Sequence, residues 1–290
     1  MVDIPELPPR GDQIFTPDRS SYGVVQRPLS TWEVLWDLGA FRKALLLALI
    51  ALLWEIYARS LNNPLLFPTL SETFVALYQG LISGRIPLAA WGSIKLLLQG
   101  YGLGLLAAGL LTAFATTTRI GADLLETLTA MFNPLPSIAL LPLAMIWFGF
   151  GDGSIVFVLV HAVLWAIALN THAGFQGVSM TWRMVGRNYG LKRLSYVSKI
   201  LIPGAFPSIL TGLKIGWAFA WRTLIAAELV FGSSSGGGGL GWFIFESKNA
   251  LMISQVFAGL LTVIIFGLFV ENVVFRAIET HTVKKWGMQN

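Results

Sequence analysis

The sequence contains no cysteine among its 290 residues, and charged residues make up only 12% of it. The missing thiols exclude disulfide bonds and thiolate metal sites. Soluble domains carry about 25% charged residues, so this chain, which is 55% apolar, has too few charges to cover a surface that faces water. The composition therefore predicts one membrane domain.

Two sequence motifs are also missing. No Gly-x-x-x-x-Gly-Lys-Ser/Thr phosphate loop occurs in the sequence. Its glycine-rich run at 236–239 is followed by Leu240 and not by the lysine that such a loop needs. The first 30 residues mix acids with prolines and lack the basic start and apolar run of a cleavable signal peptide. We therefore expect a chain that is not an enzyme and has neither a cofactor of its own nor a cleaved leader.

Long apolar runs divide the chain into six candidate membrane spans, each close to the roughly 20 residues that a helix needs to cross a bilayer. The pattern predicts an all-α, polytopic fold with a transmembrane domain over 44–280. A cytosolic tail with an interfacial helix precedes it at 1–43, and a cytosolic tail follows at 281–290. The predicted spans are 44–60, 96–118, 127–151, 154–172, 205–231 and 251–275.

Several shorter patterns predict local structure. Ser30 and Glu33 have the spacing of a capping box for a short helix at the membrane surface. Helical spacing of apolar residues predicts an amphipathic helix over 69–81, and Glu55 and Arg59 can pair on one face of the first span. A flexible turn is expected over Ser233–Gly241. Small residues four apart predict close helix approach in the second span, at Gly100, Gly104 and Ala108.

The basic residues indicate how the chain is oriented. They are dispersed between apolar runs, which argues against a nucleic-acid partner and for membrane lipid as the surroundings. Segment 173–203 is the main exception, since it holds five Lys or Arg residues and no acid. The positive-inside rule places this segment and both termini in the cytosol. We expect two short helices here, separated by Gly190 and closed by Pro203, although a basic loop lying on lipid head groups would look the same.

Two charged residues within the fifth span, Arg222 and Glu228, are candidates for function. A charge near the middle of a bilayer costs roughly 2.5–3.5 kcal/mol on insertion scales, so it usually faces a partner or a cavity. They are six residues apart, on different helix faces. One hypothesis is that Arg222 attracts an anion in the translocation path and Glu228 holds a gate. The other is a static pair with Glu55 or Lys95.

The third and fourth spans carry two further features. Prolines in the third span, among them Pro136 and Pro142, interrupt the backbone hydrogen bonds at membrane depth, which fits either a gate hinge or a packed kink. His161 in the fourth span has no carboxylate or second histidine at the spacing of a metal site. We expect it to pack through a hydrogen bond.

Several ordered blocks resemble a known family. The spacing from Gly190 to Ile200 and Pro203 is similar to the EAA loop of permease subunits in binding-protein-dependent ABC importers. The likeness extends over most of residues 45–280. The blocks resemble the branch that imports nitrate, bicarbonate, taurine and other sulfonates, and they lie at 133–153, 170–178, 212–229 and 239–241.

The resemblance implies the fold of a type I ABC importer permease in a bacterial inner membrane. It also implies a second copy of the permease, two cytosolic ABC ATPases that bind ATP and Mg, and an extracytoplasmic solute-binding protein. The segment 173–203 would then contact the ATPase, although Met184 replaces the glutamate that gives the loop its name. The contact residues implied are Arg183, Met184, Arg187, Gly190, Leu191, Lys192, Arg193 and Pro203.

Three other functions stay open from the sequence. A secondary transporter driven by an ion gradient would often show internal repeats and paired broken helices, and we find neither. A membrane-embedded enzyme would need a convergent set of acids, bases or metal ligands, whereas the spans offer scattered ones. An ABC permease for another organic solute, such as an aromatic carboxylate, fits the same sequence.

Overall fold

A computed structural model describes residues 30–231, 238–285 and 287, and this part of the chain is helical throughout its regular elements. The predicted all-α class is confirmed. The chain divides into two compact units, residues 1–52 and 53–290. The helices are α1 (Thr31–Asp37), α2 (Gly39–Leu61), α3 (Leu70–Ile82), α4 (Arg85–Thr117), α5 (Arg119–Phe132), α6 (Leu141–Phe148), α7 (Asp152–Gly177), α8 (Met180–Asn188), α9 (Arg193–Tyr196), α10 (Ile202–Phe231), α11 (Leu240–Asn249), α12 (Ile253–Phe269) and α13 (Arg276–Glu279).

The described helices include five or six candidate membrane spans. Five helical runs are long and apolar enough to cross a membrane: α2, α4, α7, and the longer runs Val197–Val230 and Ile253–Lys284. A bent pair, in which α5 and the helical residues Ser137–Phe148 meet at 88°, gives a sixth if the two are taken as one broken span. The described residues thus hold five or six candidate spans, which agrees with the predicted number of about six.

The first unit contains α1 and the start of α2. The capping box at the start of α1 is present, with the Ser30 N–H donating to the Glu33 carboxylate at 2.8 Å. Three aromatic rings, those of Trp32, Trp36 and Phe41, lie with centroids 6.1 to 6.4 Å apart. A short helix that carries exposed tryptophans beside basic residues is typical of the membrane interface.

Two spans begin earlier than the sequence suggested. Helix α4 starts at Arg85 rather than near residue 96, and α5 starts at Arg119 rather than at 127. In α5, Asp123 and Glu126 are exposed while Leu125 on the opposite face is buried. A prediction from runs without charged residues therefore misses the first turns of a span, because charged side chains there can lie on the helix face away from the bundle.

Pro203 does not close a helix, which corrects our prediction. The chain is helical from Arg193 to Phe231, and Pro203 lies in the second position of α10. The five residues before α10, Val197–Leu201, form a wider π turn. Such a turn shifts the backbone hydrogen-bond register, so a residue that has no N–H to donate can be accommodated directly after it.

The core of the second unit is built on α7, which packs mainly on α4 and α10. The predicted small-residue stripe of α4 faces α7: a Cβ at Gly104 would lie 2.7 Å from Val163 Cβ, and one at Gly100 would collide with Leu159. Helix backbones that approach this closely gain dispersion contacts, which drive association in lipid. The stripe is therefore confirmed as a packing surface.

Short helices cover one end of the bundle. The predicted amphipathic helix is α3, whose first turn is capped by the Thr69 side chain. The predicted pair of Glu55 and Arg59 is confirmed at 2.7 Å, and Glu55 also accepts from the Ser71 hydroxyl at 2.8 Å. Helix α11 was not predicted. It begins at Leu240, within the segment expected to be a flexible turn, and residues 233–237 of that turn lie outside the described residues.

Candidate functional site

The break in the third span forms one wall of a cavity. The chain turns between α5 and α6 at Asn133–Pro136, and α7 and α10 supply the remaining walls. The cavity has a volume of about 350 Å³. Its lining includes Pro136, Ser137, His161, Trp165, Phe219 and Arg222. Two residues flagged in the sequence, Pro136 and Arg222, thus meet at one site, whereas Pro142 lies in the first turn of α6 and is not on this wall.

Arg222 places a positive charge on the cavity wall. Its Nε donates to the carbonyl oxygen of Ala218 at 3.1 Å, and its guanidinium lies 5.2 Å from the centroid of the Phe219 ring. No carboxylate lies within 4 Å of it among the described residues. Among the described residues, the aromatic face and the single carbonyl are the contacts that hold the guanidinium, and they leave most of its five N–H donors able to bind an anion.

Aromatic rings surround the part of the wall that α7 supplies. The Trp165 ring stacks on Phe132, with centroids 5.6 Å apart and planes at 10°, and His161 meets both rings edge-on. His161 Nδ1 lies 3.1 Å from the Ser137 hydroxyl, so its predicted hydrogen-bonded packing is confirmed. Within the described part of the chain, His161 Nε2 and Trp165 Nε1 are buried without a hydrogen-bond partner.

Glu228 is fully buried and joins three helices. The Ser93 hydroxyl of α4 donates to its carboxylate at 2.7 Å, and the Gly241 N–H of α11 donates to it at 2.9 Å. The Ser93 oxygen in turn accepts the Leu240 N–H at 2.8 Å. The first N–H groups of a helix have no partner within it and carry partial positive charge. Glu228 on α10 therefore caps α11 from outside.

This arrangement corrects one sequence hypothesis. Neither Glu55 nor Lys95 pairs with Arg222 or Glu228 among the described residues, because Glu55 is bound to Arg59 and Ser71. Arg222 and Glu228 have separate surroundings, the first on the cavity wall and the second inside the bundle.

Sequence reasoning missed the partners of Glu228. A Cβ at Gly239 would collide with the Glu228 carboxylate, and one at Gly241 would lie 2.6 Å from Glu228 Cβ. The glycines on either side of Leu240 therefore leave room for the acid. Their spacing was noted in the sequence, but nothing in it shows that an acid more than ten residues earlier occupies the space.

The basic segment forms α8 and the start of the next helical run. Gly190 has a φ of +67°, its N–H donates to the Arg187 carbonyl at 2.9 Å, and the Leu191 N–H donates to the Gly186 carbonyl at 3.0 Å. These two bonds with a left-handed glycine form a Schellman motif, which terminates a helix. The predicted separation of two helices at Gly190 is confirmed.

The side chains of this segment divide into two groups. Arg183 is directed inward and donates to the carbonyls of Phe175 at 2.6 Å, Gln176 at 3.2 Å and Val178 at 3.0 Å, so it fastens α8 to the end of α7. Leu191 packs on the apolar cluster beneath α8. Met184, Arg187 and Lys192 are exposed.

Two further predicted contact residues, Arg193 and Pro203, belong to the helical run that follows α8. Arg193 begins α9, and Pro203 lines a cavity of about 390 Å³ together with Trp182 and Lys199. The exposed side chains of the segment therefore include basic and apolar ones, and residues 173–203 contain no acid.

Comparison with known proteins identifies the family. The family model for the inner membrane component of binding-protein-dependent transport systems matches residues 100–286. The aliphatic sulfonates transport permease protein of Bacillus subtilis is 29% identical over 85% of this chain and 88% of its own length. The nitrate import permease protein of Synechocystis sp. is 27% identical over 85% of this chain and 90% of its own.

A third relative belongs to the same group. The taurine transport system permease protein of Escherichia coli is 28% identical over 78% of this chain and 82% of its own length. These relatives match the branch that the sequence blocks resemble, and they are permease subunits rather than enzymes. Since the family model covers more than half of the chain, this protein belongs to the family of inner membrane components of binding-protein-dependent transport systems.

Proposed function

We propose that the chain forms the translocation path of an ATP-driven importer for a small anion, such as nitrate, bicarbonate, taurine or another sulfonate. The observation that carries this proposal is Arg222, a cation without an acidic partner among the described residues, on the wall of the cavity at the broken span. The names of the relatives support it, because sulfonate, nitrate and taurine all carry an oxyanion group.

The proposed assembly contains two copies of the permease and two cytosolic ABC ATPases. An extracytoplasmic binding protein delivers the solute, and both termini of the permease lie in the cytosol of a bacterium. ATP and Mg bind in the ATPases, which is consistent with a sequence that has no phosphate loop. The unpaired basic residues of 173–203 support the cytosolic placement.

Coupling between ATP and transport would pass through α8. When the ATPases close on ATP, they displace α8, and the three hydrogen bonds from Arg183 carry that displacement to the end of α7. Because α7 packs on both α4 and α10, the spans move together and open the cavity to the other side. The permease thus alternates between two states whose populations the ATPase shifts.

The exposed surface of α8 is testable through Arg187. Arg187→Glu is expected to reduce the ATPase that co-purifies with the permease by about tenfold or more, because losing one partner of an interfacial charge pair costs about 2–5 kcal/mol. The matched control is Arg119→Glu. Arg119 is also exposed and lies at the start of α5, so this variant should co-purify with a normal amount of ATPase. Uptake by the permease without any ATPase would contradict the proposal.

The role of Arg222 is testable by Arg222→Gln. We expect ATP-dependent uptake in proteoliposomes to fall by about tenfold or more, since a hydrogen bond to a charged group contributes about 1.5–3 kcal/mol and 1.4 kcal/mol is a factor of ten. Assembly of the complex should not change, because Arg222 joins no ion pair in the described structure. Normal uptake by a correctly assembled variant would remove Arg222 from the path.

A further inference from the structure

The size of the cavity beside Arg222 is informative about its occupant. Water takes about 30 Å³ per molecule in the liquid, so about 350 Å³ holds on the order of ten waters or a ligand of similar bulk. An inorganic oxyanion with four heavy atoms would fill only a small part of it. Pockets of about 300–1,000 Å³ with aromatic walls and a few polar groups are typical of sites for organic ligands.

The polar groups on the wall are arranged for one anionic group. Arg222 supplies the only formal charge among the described lining residues. Trp165 is 7% exposed, and its Nε1–H has no hydrogen-bond partner in the described structure; the same holds for His161 Nε2. Both atoms are buried from solvent, so Arg222 is the charged donor that an anion in the cavity can reach.

The rest of the wall is apolar and aromatic. Phe219 is 41% exposed and lies under the Arg222 guanidinium. On α7, the Trp165 ring is supported by Phe132, which stacks on it. An aromatic or apolar group bound next to the anionic head would therefore contact rings from both α7 and α10, whereas a hydrated inorganic anion would leave these rings facing water.

We propose that this cavity is a selectivity site within the permease, which among the anions of the proposed function favours organic ones with an apolar or aromatic body over inorganic ones such as nitrate and bicarbonate. This inference rests on the proposed function, in which Arg222 lies on the path. It adds that the permease selects its cargo a second time, after delivery. Arg222 recognises the head, and Phe219 with Trp165 recognises the body.

The test uses the intact importer complex reconstituted in lipid, with two probes that share a head group. Binding of benzenesulfonate and methanesulfonate is measured by calorimetry on the wild type. We expect benzenesulfonate to bind about tenfold more tightly or better. Phe219→Ala should reduce that ratio by about threefold to tenfold, the range of one aromatic contact, while Arg222→Gln should weaken both probes by a similar factor.

A matched control separates the site from general effects of truncation. Phe114 lies on α4, is 43% exposed and is not part of the cavity wall, so Phe114→Ala should leave the ratio unchanged. Equal affinities in the wild type, no binding of either probe, or a ratio that responds alike to Phe219→Ala and Phe114→Ala would each overturn the inference.

ATP-dependent uptake of the binding protein's cargo by the same preparation separates this inference from the proposed function. Uptake that persists while the two probes bind equally well overturns the selectivity site alone. If the assembled wild type shows no ATP-dependent uptake, the proposed function fails, whatever the affinity ratio is.

Discussion

Replacing Gly241 with alanine is expected to disrupt the α10–α11 junction and to abolish the stable complex. The new Cβ would lie 2.6 Å from Glu228 Cβ and 2.6 Å from the Ile225 carbonyl oxygen, and a backbone atom cannot move aside as a side chain can. Overpacking costs about 1–3 kcal/mol, and loss of the Gly241 N–H bond to Glu228 adds about 1–3 kcal/mol more. The measurement is the temperature at which the detergent-solubilised complex loses monodispersity.

Two variants control this prediction. Gly153 occupies the same second position in α7, and a Cβ there would lie 3.6 Å from Phe148 Cβ, an ordinary contact, so Gly153→Ala should be tolerated. Glu228→Gln keeps an oxygen that can accept the Gly241 N–H and should cost less than Glu228→Leu, which keeps none. Equal stability of the Gly241→Ala and Gly153→Ala proteins would show that the junction is not close-packed.

Gly100→Ala should have an effect of similar size on the packing of α4 against α7. A Cβ at this position would collide with Leu159 and lie 2.7 Å from its Cδ1, so the two helices would have to separate. We expect a loss of roughly 1–3 kcal/mol in stability and a large fall in the yield of folded permease. Fluorescence-detected size exclusion of the solubilised protein measures both.

The same helix provides the control for Gly100. Gly102 has no atom within 4 Å of its Cβ position, so Gly102→Ala should gain helix propensity without a clash. Leu159→Ala combined with Gly100→Ala should recover part of the yield, because the smaller side chain frees the space. If Gly100→Ala and Gly102→Ala behave alike, the stripe is not a packing surface.

The sequence predicted the spans well because lipid imposes a strong constraint. A backbone in hydrocarbon must satisfy its own hydrogen bonds, so long uncharged runs have to be helices. The predicted helix boundaries are wrong at the ends of spans and in the segments between them, where this constraint does not apply. Helix α4 begins with Arg85, which pairs with Glu246 of α11, and the first turns of α5 carry charges that face away from the bundle. Helix α11 is a short helix whose first N–H groups are satisfied by Ser93 and Glu228.

The site was predictable only as a set of separate residues. Arg222 and Pro136 stand out because a charge and a ring without an N–H are both unfavourable at membrane depth. The sequence does not show that they share one cavity, since Pro136 and Arg222 come from different spans and meet only after the third span bends by 88°. Glu228 likewise stands out, but its partner Ser93 lies 135 residues away.

The position of Glu228 constrains how that end of the bundle can open. One carboxylate is bound by α4 through Ser93 and by α11 through Gly241, while Glu228 itself belongs to α10. If α10 separates from α4, Ser93 loses its acceptor, and the first turn of α11 keeps only one of its two acceptors, Ser93 or Glu228. Opening at this end therefore leaves buried polar groups without partners, a cost that favours movement of the three helices as one body.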